Sequence, residues 1–335
     1  MCINSFNTEA METREALVAE QVAEQEERTL DFDEFCETVK AMMMVKYPDA
    51  EVTVHEVCKE GGLLLHGILI KPEGVNVSPT IYLESFYKAY ENGEISLSEA
   101  VEKTAELYEE HKMPETFDMS WFMDWENVKD KVVVKLINKE SNKELLKKIP
   151  HIDFLDETAV IFKVLMPEDN APDNTMATVT ITNDLLSSWN VTTDIVREAA
   201  LANSPKLLPM KLQSMFDTID EIRRRNPLAL IPELPEIPDD GPQMMVLSNI
   251  RKCDGASVIL YPKLLKKIGE KYGDFVLIPS SIHEVLIVTN TSREEMPTYN
   301  GMVKDVNRTA VASNEVLADR AYYYDSTVNE LQIVA

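Results

Sequence analysis

Residues Met244–Val288 read MMVLSNIRKCDGASVILYPKLLKKIGEKYGDFVLIPSSIHEVLIV, and this stretch holds both kinds of secondary structure. Short apolar and β-branched runs bounded by turn residues predict strands, and apolar residues at helical spacing predict a helix. The expected elements are strands at Met244–Leu247, Ser257–Leu260, Phe275–Ile278 and Glu284–Thr289 and a helix at Pro262–Lys271. The mixture predicts an α+β fold in which helices pack on mixed or antiparallel sheets.

The preceding part of the chain shows the same two patterns. A helix is expected at Phe32–Lys46, because Asp31 and Glu34 form a capping box before an apolar face. Ser96 and Glu99 form a second capping box, which predicts another amphipathic helix after it. Further elements are expected as strands at Val52–Cys58, Leu63–Ile70, Val132–Leu136, Thr158–Leu165 and Met176–Ile181 and as helices at Thr182–Trp189, Thr193–Asn203 and Lys211–Arg225.

Prolines are concentrated in one short stretch, at Pro227, Pro232, Pro235, Pro238 and Pro242. A segment with so many residues that lack a backbone N–H is neither a helix nor a central strand, which predicts a linker at residues 227–242. The expected organisation is an acidic tail or loose helix at residues 1–29, an N-terminal α+β domain at 30–226 and a C-terminal α+β domain at 243–335. The alternative is that the sheets of the two parts pack into one body.

The charge of the chain limits the partners it can take. It has 335 residues with 58 acidic and 33 basic side chains, and its formal net charge is -25. Such a chain repels nucleic acid and anionic lipid, which argues against binding that relies on phosphate neutralisation. The acidity suits a basic protein partner or a DNA mimic. It is also ordinary for a soluble protein of a cytosol that favours acidic chains.

Targeting and cysteine patterns indicate a cytoplasmic protein. The N-terminus lacks a basic region followed by an apolar run, and no apolar stretch approaches the roughly 20 residues of a membrane span. The four cysteines form no CxxC pair, which predicts reduced thiols rather than a zinc signature or a disulfide framework. No GxGxxG or GxxxxGK[ST] motif is present, so no nucleotide cofactor, and no cofactor of any other kind, is expected.

Several longer motifs carry a family resemblance from about Phe32 to Ala335. They are NVSPTIYLESFYKAYENGE at Asn76–Glu94, VTITNDLLSSWNV within Val179–Pro209, GASVILYPKLL and LIPSSIHEVLIV within Met244–Val288, and VLADRAYYYD near the end. With these motifs the chain resembles an uncharacterised bacterial family, a domain of unknown function that is frequent in anaerobic gut bacteria. The resemblance implies no particular activity, cofactor or partner.

The segment Pro279–Glu284 between two expected strands brings reactive side chains together. Ser280, Ser281, His283 and Glu284 supply two hydroxyls, an imidazole and a carboxylate. A nucleophilic serine needs a base, and the base needs an orienting acid, so this segment predicts a candidate hydrolase site. The alternative is a turn whose hydroxyls cap backbone groups, with His283 in a structural role. No GxSxG motif accompanies it.

A candidate metal site comes from the expected hairpin around Lys59-Glu60-Gly61-Gly62. If the hairpin is symmetric about Glu60 and Gly61, His55 and His66 face each other across the strands. Two histidines can begin a zinc site, although zinc takes three or four ligands. Taken together, these patterns favour a non-enzymatic binding or regulatory protein with an acidic surface. The alternative is a hydrolase that uses Ser280 or Ser281 with His283 and Glu284.

Overall fold

The computed structural model describes residues 29–74, 78–112, 120–166, 178–225 and 241–334. It confirms the α+β fold, with helices packed on antiparallel sheets. The chain divides into two compact units, the first Met1–Lys59 with Leu63–Met119 and the second Glu60–Gly62 with Ser120–Ala335. The tail expected at residues 1–29 and the linker expected at 227–242 lie almost entirely outside the described residues.

The first unit is a small antiparallel sheet with helices. Its elements are α1 (Phe32–Lys46), β1 (Ala50–Cys58), β2 (Leu64–Pro72), β3 (Thr80–Tyr82), α2 (Glu84–Glu91) and α3 (Leu97–His111), and the strand order is β1-β2-β3. Both expected capping boxes are present: Asp31 with Glu34 begins α1, and Ser96 with Glu99 begins α3. The apolar faces of these helices form the core of the first unit. Phe35 of α1 lies in this core and is completely buried.

The second unit contains two sheets. Its elements are α4 (Trp125–Val128), β4 (Val132–Asn138), α5 (Lys143–Leu146), β5 (His151–Phe154), β6 (Thr158–Leu165), β7 (Thr178–Thr180), α6 (Asn183–Trp189), α7 (Thr193–Leu207), β8 (Met210–Ser214), α8 (Met215–Arg225), β9 (Gln243–Asn249), α9 (Leu264–Tyr272), β10 (Phe275–Ser281), β11 (Glu284–Thr289), α10 (Met296–Thr309), β12 (Tyr322–Asp325) and β13 (Glu330–Gln332). One sheet has the order β4-β6-β5 with β7 also paired to β6, and the other has the order β13-β12-β10-β11-β9-β8.

Two elements differ from the expectations. The start of the helix expected at Lys211–Arg225 is strand β8, which pairs antiparallel with β9. Strands β8 and β9, which precede and follow the Pro-rich stretch in sequence, therefore belong to one sheet and to the second unit. The two units are divided after Lys59, Gly62 and Met119. The strand expected at Ser257–Leu260 is a 3-10 helix at Gly255–Leu260. The first five residues of this 3-10 helix are buried. A short apolar run with no exposed side shows neither the helical nor the strand pattern of alternating apolar and polar residues, so its sequence does not distinguish the two structures.

Strand β4 is an edge strand whose outward backbone groups are covered by side chains. The Val134 N–H donates to Ser204 Oγ at 3.0 Å, and the Leu136 N–H donates to Ser257 Oγ at 2.9 Å. Near the start of the strand, Asn203 Nδ2 donates to the Val132 carbonyl. An exposed sheet edge invites pairing with another chain, and these hydrogen bonds satisfy it internally. They also fix β4, and with it the buried lysine described below.

Candidate functional site

The Pro279–Glu284 segment spans the end of β10, a tight turn and the start of β11. Ser281 pairs with Glu284 across the turn, after an irregularity in the register that begins at Pro279. Ser281 Oγ accepts a hydrogen bond from the backbone N–H of His283 at 3.0 Å, and Ser280 Oγ donates to Glu284 Oε1 at 3.5 Å. The structure thus brings Ser280 to Glu284 and links Ser281 to the backbone of His283.

The imidazole of His283 lies between two other parts of the second unit. Its Nδ1 accepts a hydrogen bond from the backbone N–H of Asp254 at 3.1 Å, and its Nε2 lies 3.5 Å from Glu315 Oε1. Because Nδ1 is an acceptor, the neutral ring carries its proton on Nε2, which points toward the Glu315 carboxylate. The side chain is 34% exposed, so solvent and small ligands reach it.

The loop between β9 and the 3-10 helix positions Cys253 and Asp254 beside this ring. Asn249 shapes the loop, since its Nδ2 donates to the Cys253 carbonyl at 2.7 Å. Asp254 adopts a positive φ of 54°, an unusual conformation for a residue other than glycine. Gly255 follows, and a Cβ there would lie only 2.4 Å from the carbonyl oxygen of His283. Ligand atoms of Cys253, Asp254 and His283 consequently all lie within 4.8 Å of one another.

A buried ion network lies next to Asp254. Paired residues on β4, β6 and β7 put Lys135, Lys163 and Thr180 on one face of the sheet. Lys135 Nζ lies 2.5 Å from Glu60 Oε2 and 2.7 Å from Asp254 Oδ1. The other oxygen of Glu60 accepts hydrogen bonds from Lys163 Nζ at 2.9 Å and from Thr180 Oγ1 at 3.1 Å.

The network shifts the protonation equilibria of its members. Burial by itself would raise the pKa of Glu60, but the ammonium groups of Lys135 and Lys163 outweigh it and lower that pKa to about 2. Burial likewise opposes the charge of Lys135, and the carboxylates of Asp254 and Glu60 outweigh it, so the pKa of Lys135 is raised. Burial, followed by the charge of Asp254, raises the pKa of the Cys253 thiol. Cys253 is therefore a thiol at neutral pH.

Sequence reasoning missed this network, although one signal of it is visible. Lys135 interrupts the otherwise apolar run of β4, and lysine is almost never fully buried without a partner. Its side chain is only 6% exposed. The signal shows that a partner exists, but Glu60 and Asp254 are remote in sequence and could not be identified as that partner.

The two histidines of the β1–β2 hairpin do not face each other. The register pairs His55 with Gly67 and Glu56 with His66, so the two imidazoles point to opposite faces of the sheet. The expected symmetry about Glu60 and Gly61 is corrected by one residue, because the turn is a three-residue 3-10 helix at Glu60–Gly62 centred on Gly61. His66 instead lies 3.1 Å, through Nδ1, from Glu84 Oε1.

Two further surfaces are candidates for binding. A cavity of about 590 Å³ opens beside α10, and side chains of both charges line it, with Lys304 and Arg308 positive and Glu140 and Asp319 negative. The solvent face of α3 is acidic, with exposed glutamates at Glu99, Glu102, Glu106, Glu109 and Glu110. Neither surface was identified as a site from the sequence, although the acidic side of α3 is visible in its heptad-like spacing.

Comparison with known proteins places the chain in a family. Among the described residues, no helix is both long and apolar enough to cross a membrane. No curated protein and no solved structure matches the chain. The model of a family of unknown function, DUF5688, matches residues 32–326. The match covers most of the sequence and both units, and the chain therefore belongs to the DUF5688 family of unknown function.

Proposed function

We propose that this chain is a non-enzymatic binding protein that takes a basic protein partner on its acidic surface. The observation that carries the proposal is the solvent face of α3. Glu102, Glu106 and Glu110 follow one another at intervals of one helical turn and are all exposed. The opposite face of α3 is buried in the core of the first unit.

The exposed glutamates of α3 outnumber the lysines beside them, since five glutamates stand against Lys46, Lys103 and Lys112. Lys46 lies 2.5 Å from Glu102, and Lys112 lies 2.5 Å from Glu109. These pairs are exposed, and exposed pairs are weak, so a multivalent basic partner can replace them at little cost. Complementary charge raises the rate of association and selects the partner, and both effects weaken with salt.

The surroundings of the Pro279–Glu284 segment favour a binding protein over an enzyme. Ser281 Oγ accepts a backbone hydrogen bond from His283, and His283 Nδ1 accepts one from Asp254. A general base needs a free acceptor nitrogen within reach of the nucleophile's proton. In His283 that nitrogen is engaged by a backbone N–H, which is the arrangement of a structural turn.

The proposal is tested by capture of a defined basic ligand and then of the natural partner. The triple variant Glu102→Gln/Glu106→Gln/Glu110→Gln is compared with Glu140→Gln/Glu144→Gln/Glu270→Gln, which removes the same charge from exposed sites of the second unit. We expect the α3 variant to bind a lysine-rich helical peptide at least tenfold more weakly, and the control to stay within twofold of the unmodified chain. Equal binding by both variants would refute the role of α3.

A hydrolase that uses Ser280 or Ser281 with His283 and Glu284 is the second candidate. One observation favours it: His283 Nε2 lies 3.5 Å from a carboxylate oxygen of Glu315, the relation of a catalytic base to its orienting acid. A fluorophosphonate probe distinguishes the two functions, since it labels activated serines covalently. Stoichiometric labelling that is lost in Ser280→Ala or Ser281→Ala supports the hydrolase, and absence of labelling supports the binding protein.

A further inference from the structure

Three side chains of different chemistry converge at the exposed end of the buried ion network. The thiol of Cys253, the carboxylate of Asp254 and the imidazole of His283 have ligand atoms within 4.8 Å of one another. We propose that these three residues form a binding site for a divalent transition-metal ion, with zinc as the preferred ion. The site is separate from the acidic face of α3 and does not depend on the function proposed for that face.

The ligand types point to zinc. Zinc is borderline soft and takes sulfur, nitrogen and oxygen ligands together, whereas magnesium and calcium take oxygen alone. Tetrahedral ligands of zinc stand about 3.3–3.6 Å apart, so small side-chain rotations close the present separations. One thiolate and one carboxylate offset the two charges of the ion. Three protein ligands leave a fourth position for water or for a bound molecule.

The hydrogen bonds of His283 indicate which nitrogen binds the ion. Its Nδ1 faces Asp254, whose backbone N–H lies 3.1 Å away, and its Nε2 faces Glu315. An ion on Nδ1 leaves the proton on Nε2 for Glu315 Oε1, now 3.5 Å away. Metal-bound histidines characteristically donate their other ring N–H to a carboxylate or a carbonyl. The ion would take the Nδ1 lone pair that now accepts the Asp254 N–H.

The ion network holds the carboxylate ligand in place. Lys135 Nζ lies 2.7 Å from Asp254 Oδ1, which leaves the second oxygen of that carboxylate for the ion. Glu60 lies 2.5 Å from Lys135 on the buried side and is shared with Lys163. The ion displaces the thiol proton of Cys253 when it binds. Lys135 is therefore a positioning residue of the proposed site.

Cobalt substitution tests the proposal in the full chain. Protein freed of metal by a chelator is titrated with Co²⁺, whose bond to a thiolate gives an intense charge-transfer absorption in the near ultraviolet. We expect this absorption to saturate at one ion per chain and to be abolished by an equivalent of Zn²⁺. Cys253→Ser should abolish the band, and His283→Ala should weaken binding at least tenfold. The matched control Cys58→Ser, a half-buried cysteine of the first unit, should leave both unchanged.

A second readout requires no variant to fold. Alkylation of the native chain by a maleimide, read peptide by peptide by mass spectrometry, measures the accessibility of Cys253 and Cys58 separately. Zn²⁺ at one equivalent should slow the alkylation of Cys253 several-fold and leave Cys58 unaffected. The proposal is overturned if the unmodified chain shows no thiolate-to-cobalt band, if Cys253→Ser retains the band, or if Zn²⁺ does not protect Cys253.

Discussion

Glu60 Oε2 lies 2.5 Å from the Nζ atom of Lys135, which joins a turn glutamate to a lysine in the middle of an apolar strand. Both partners are removed from water, with side chains 22% and 6% exposed. A buried charge costs several kcal/mol unless a partner of opposite sign compensates it. Substitutions that remove a charge from this pair, or from Lys163 or Asp254, should therefore lower the free energy of unfolding of the second unit.

Removal of the ammonium group should destabilise the second unit strongly. Lys135→Met leaves Asp254 buried and unpaired, and we expect the free energy of unfolding to fall by roughly 3–5 kcal/mol. Urea denaturation followed by tryptophan fluorescence measures this unit alone, because Trp121, Trp125 and Trp189 all lie in it. The control Lys143→Met breaks an exposed pair with Glu140 and should change the same free energy by less than about 1 kcal/mol. A similar effect of both substitutions would contradict the prediction.

Acid should weaken the same unit through Glu60. Its pKa is about 2 in the folded chain against an ordinary value of 4.5. The stabilising contribution is therefore complete above pH 4.5 and is lost as the pH falls from 4.5 toward 2. We expect Glu60→Gln to flatten the decline of the unfolding free energy across that range and to lower its value at pH 7. Glu140→Gln, at an exposed site, should leave the decline as it is in the unmodified chain. An unchanged slope in Glu60→Gln would show that Glu60 is not the group responsible.

Substitution of alanine for Gly255 or for Gly301 should change the free energy of unfolding in opposite directions. A Cβ on Gly255 would lie 2.0 Å from Ser248 Oγ and 2.9 Å from the backbone nitrogen of Asn249. Backbone cannot move aside cheaply, so Gly255→Ala should cost about 1–3 kcal/mol or more. Gly301 lies inside α10, and a Cβ there meets nothing within 4 Å. Gly301→Ala should raise the unfolding free energy by about 0.5–1 kcal/mol. Thermal melts of both variants provide the measurement, and stabilisation by Gly255→Ala would contradict the close packing of that loop.

The hydroxyls that cover the edge of β4 should matter more than hydroxyls on exposed helices. Ser204→Ala and Ser257→Ala each leave a buried N–H of β4 without an acceptor, and each should cost about 1–3 kcal/mol. Ser187→Ala removes a hydroxyl that bonds only within its own exposed helix turn and should cost less than about 0.5 kcal/mol. Urea denaturation by tryptophan fluorescence compares the three variants. Faster hydrogen exchange at Val134 and Leu136 in the first two would connect the loss to the uncovered edge.

Sequence patterns within a few residues were sufficient to predict some of the helices. The capping boxes at Asp31 and Ser96 lie next to the apolar faces they introduce, so sequence alone placed both helices. The hairpin of β1 and β2 was also expected, but its register was displaced by one residue. Five residues, 59–63, join the strands instead of the expected four, which shifts the pairing by one residue and puts His66 on the face opposite to His55. That choice depends on backbone angles at Gly61 that composition does not reveal.

The sequence by itself determined the α+β class, most helix boundaries and the strong acidity of this chain, because each depends on spacing or composition along a short stretch. It also identified the Pro279–Glu284 segment as a concentration of polar side chains. Only the tertiary structure decided that Glu60, Asp254 and Lys135 meet and that His283 lies between Asp254 and Glu315. The physical reason is that a buried charge needs a partner of opposite charge close to it in space. The packing of the sheets decides which side chain that is, and the partner can be remote in sequence.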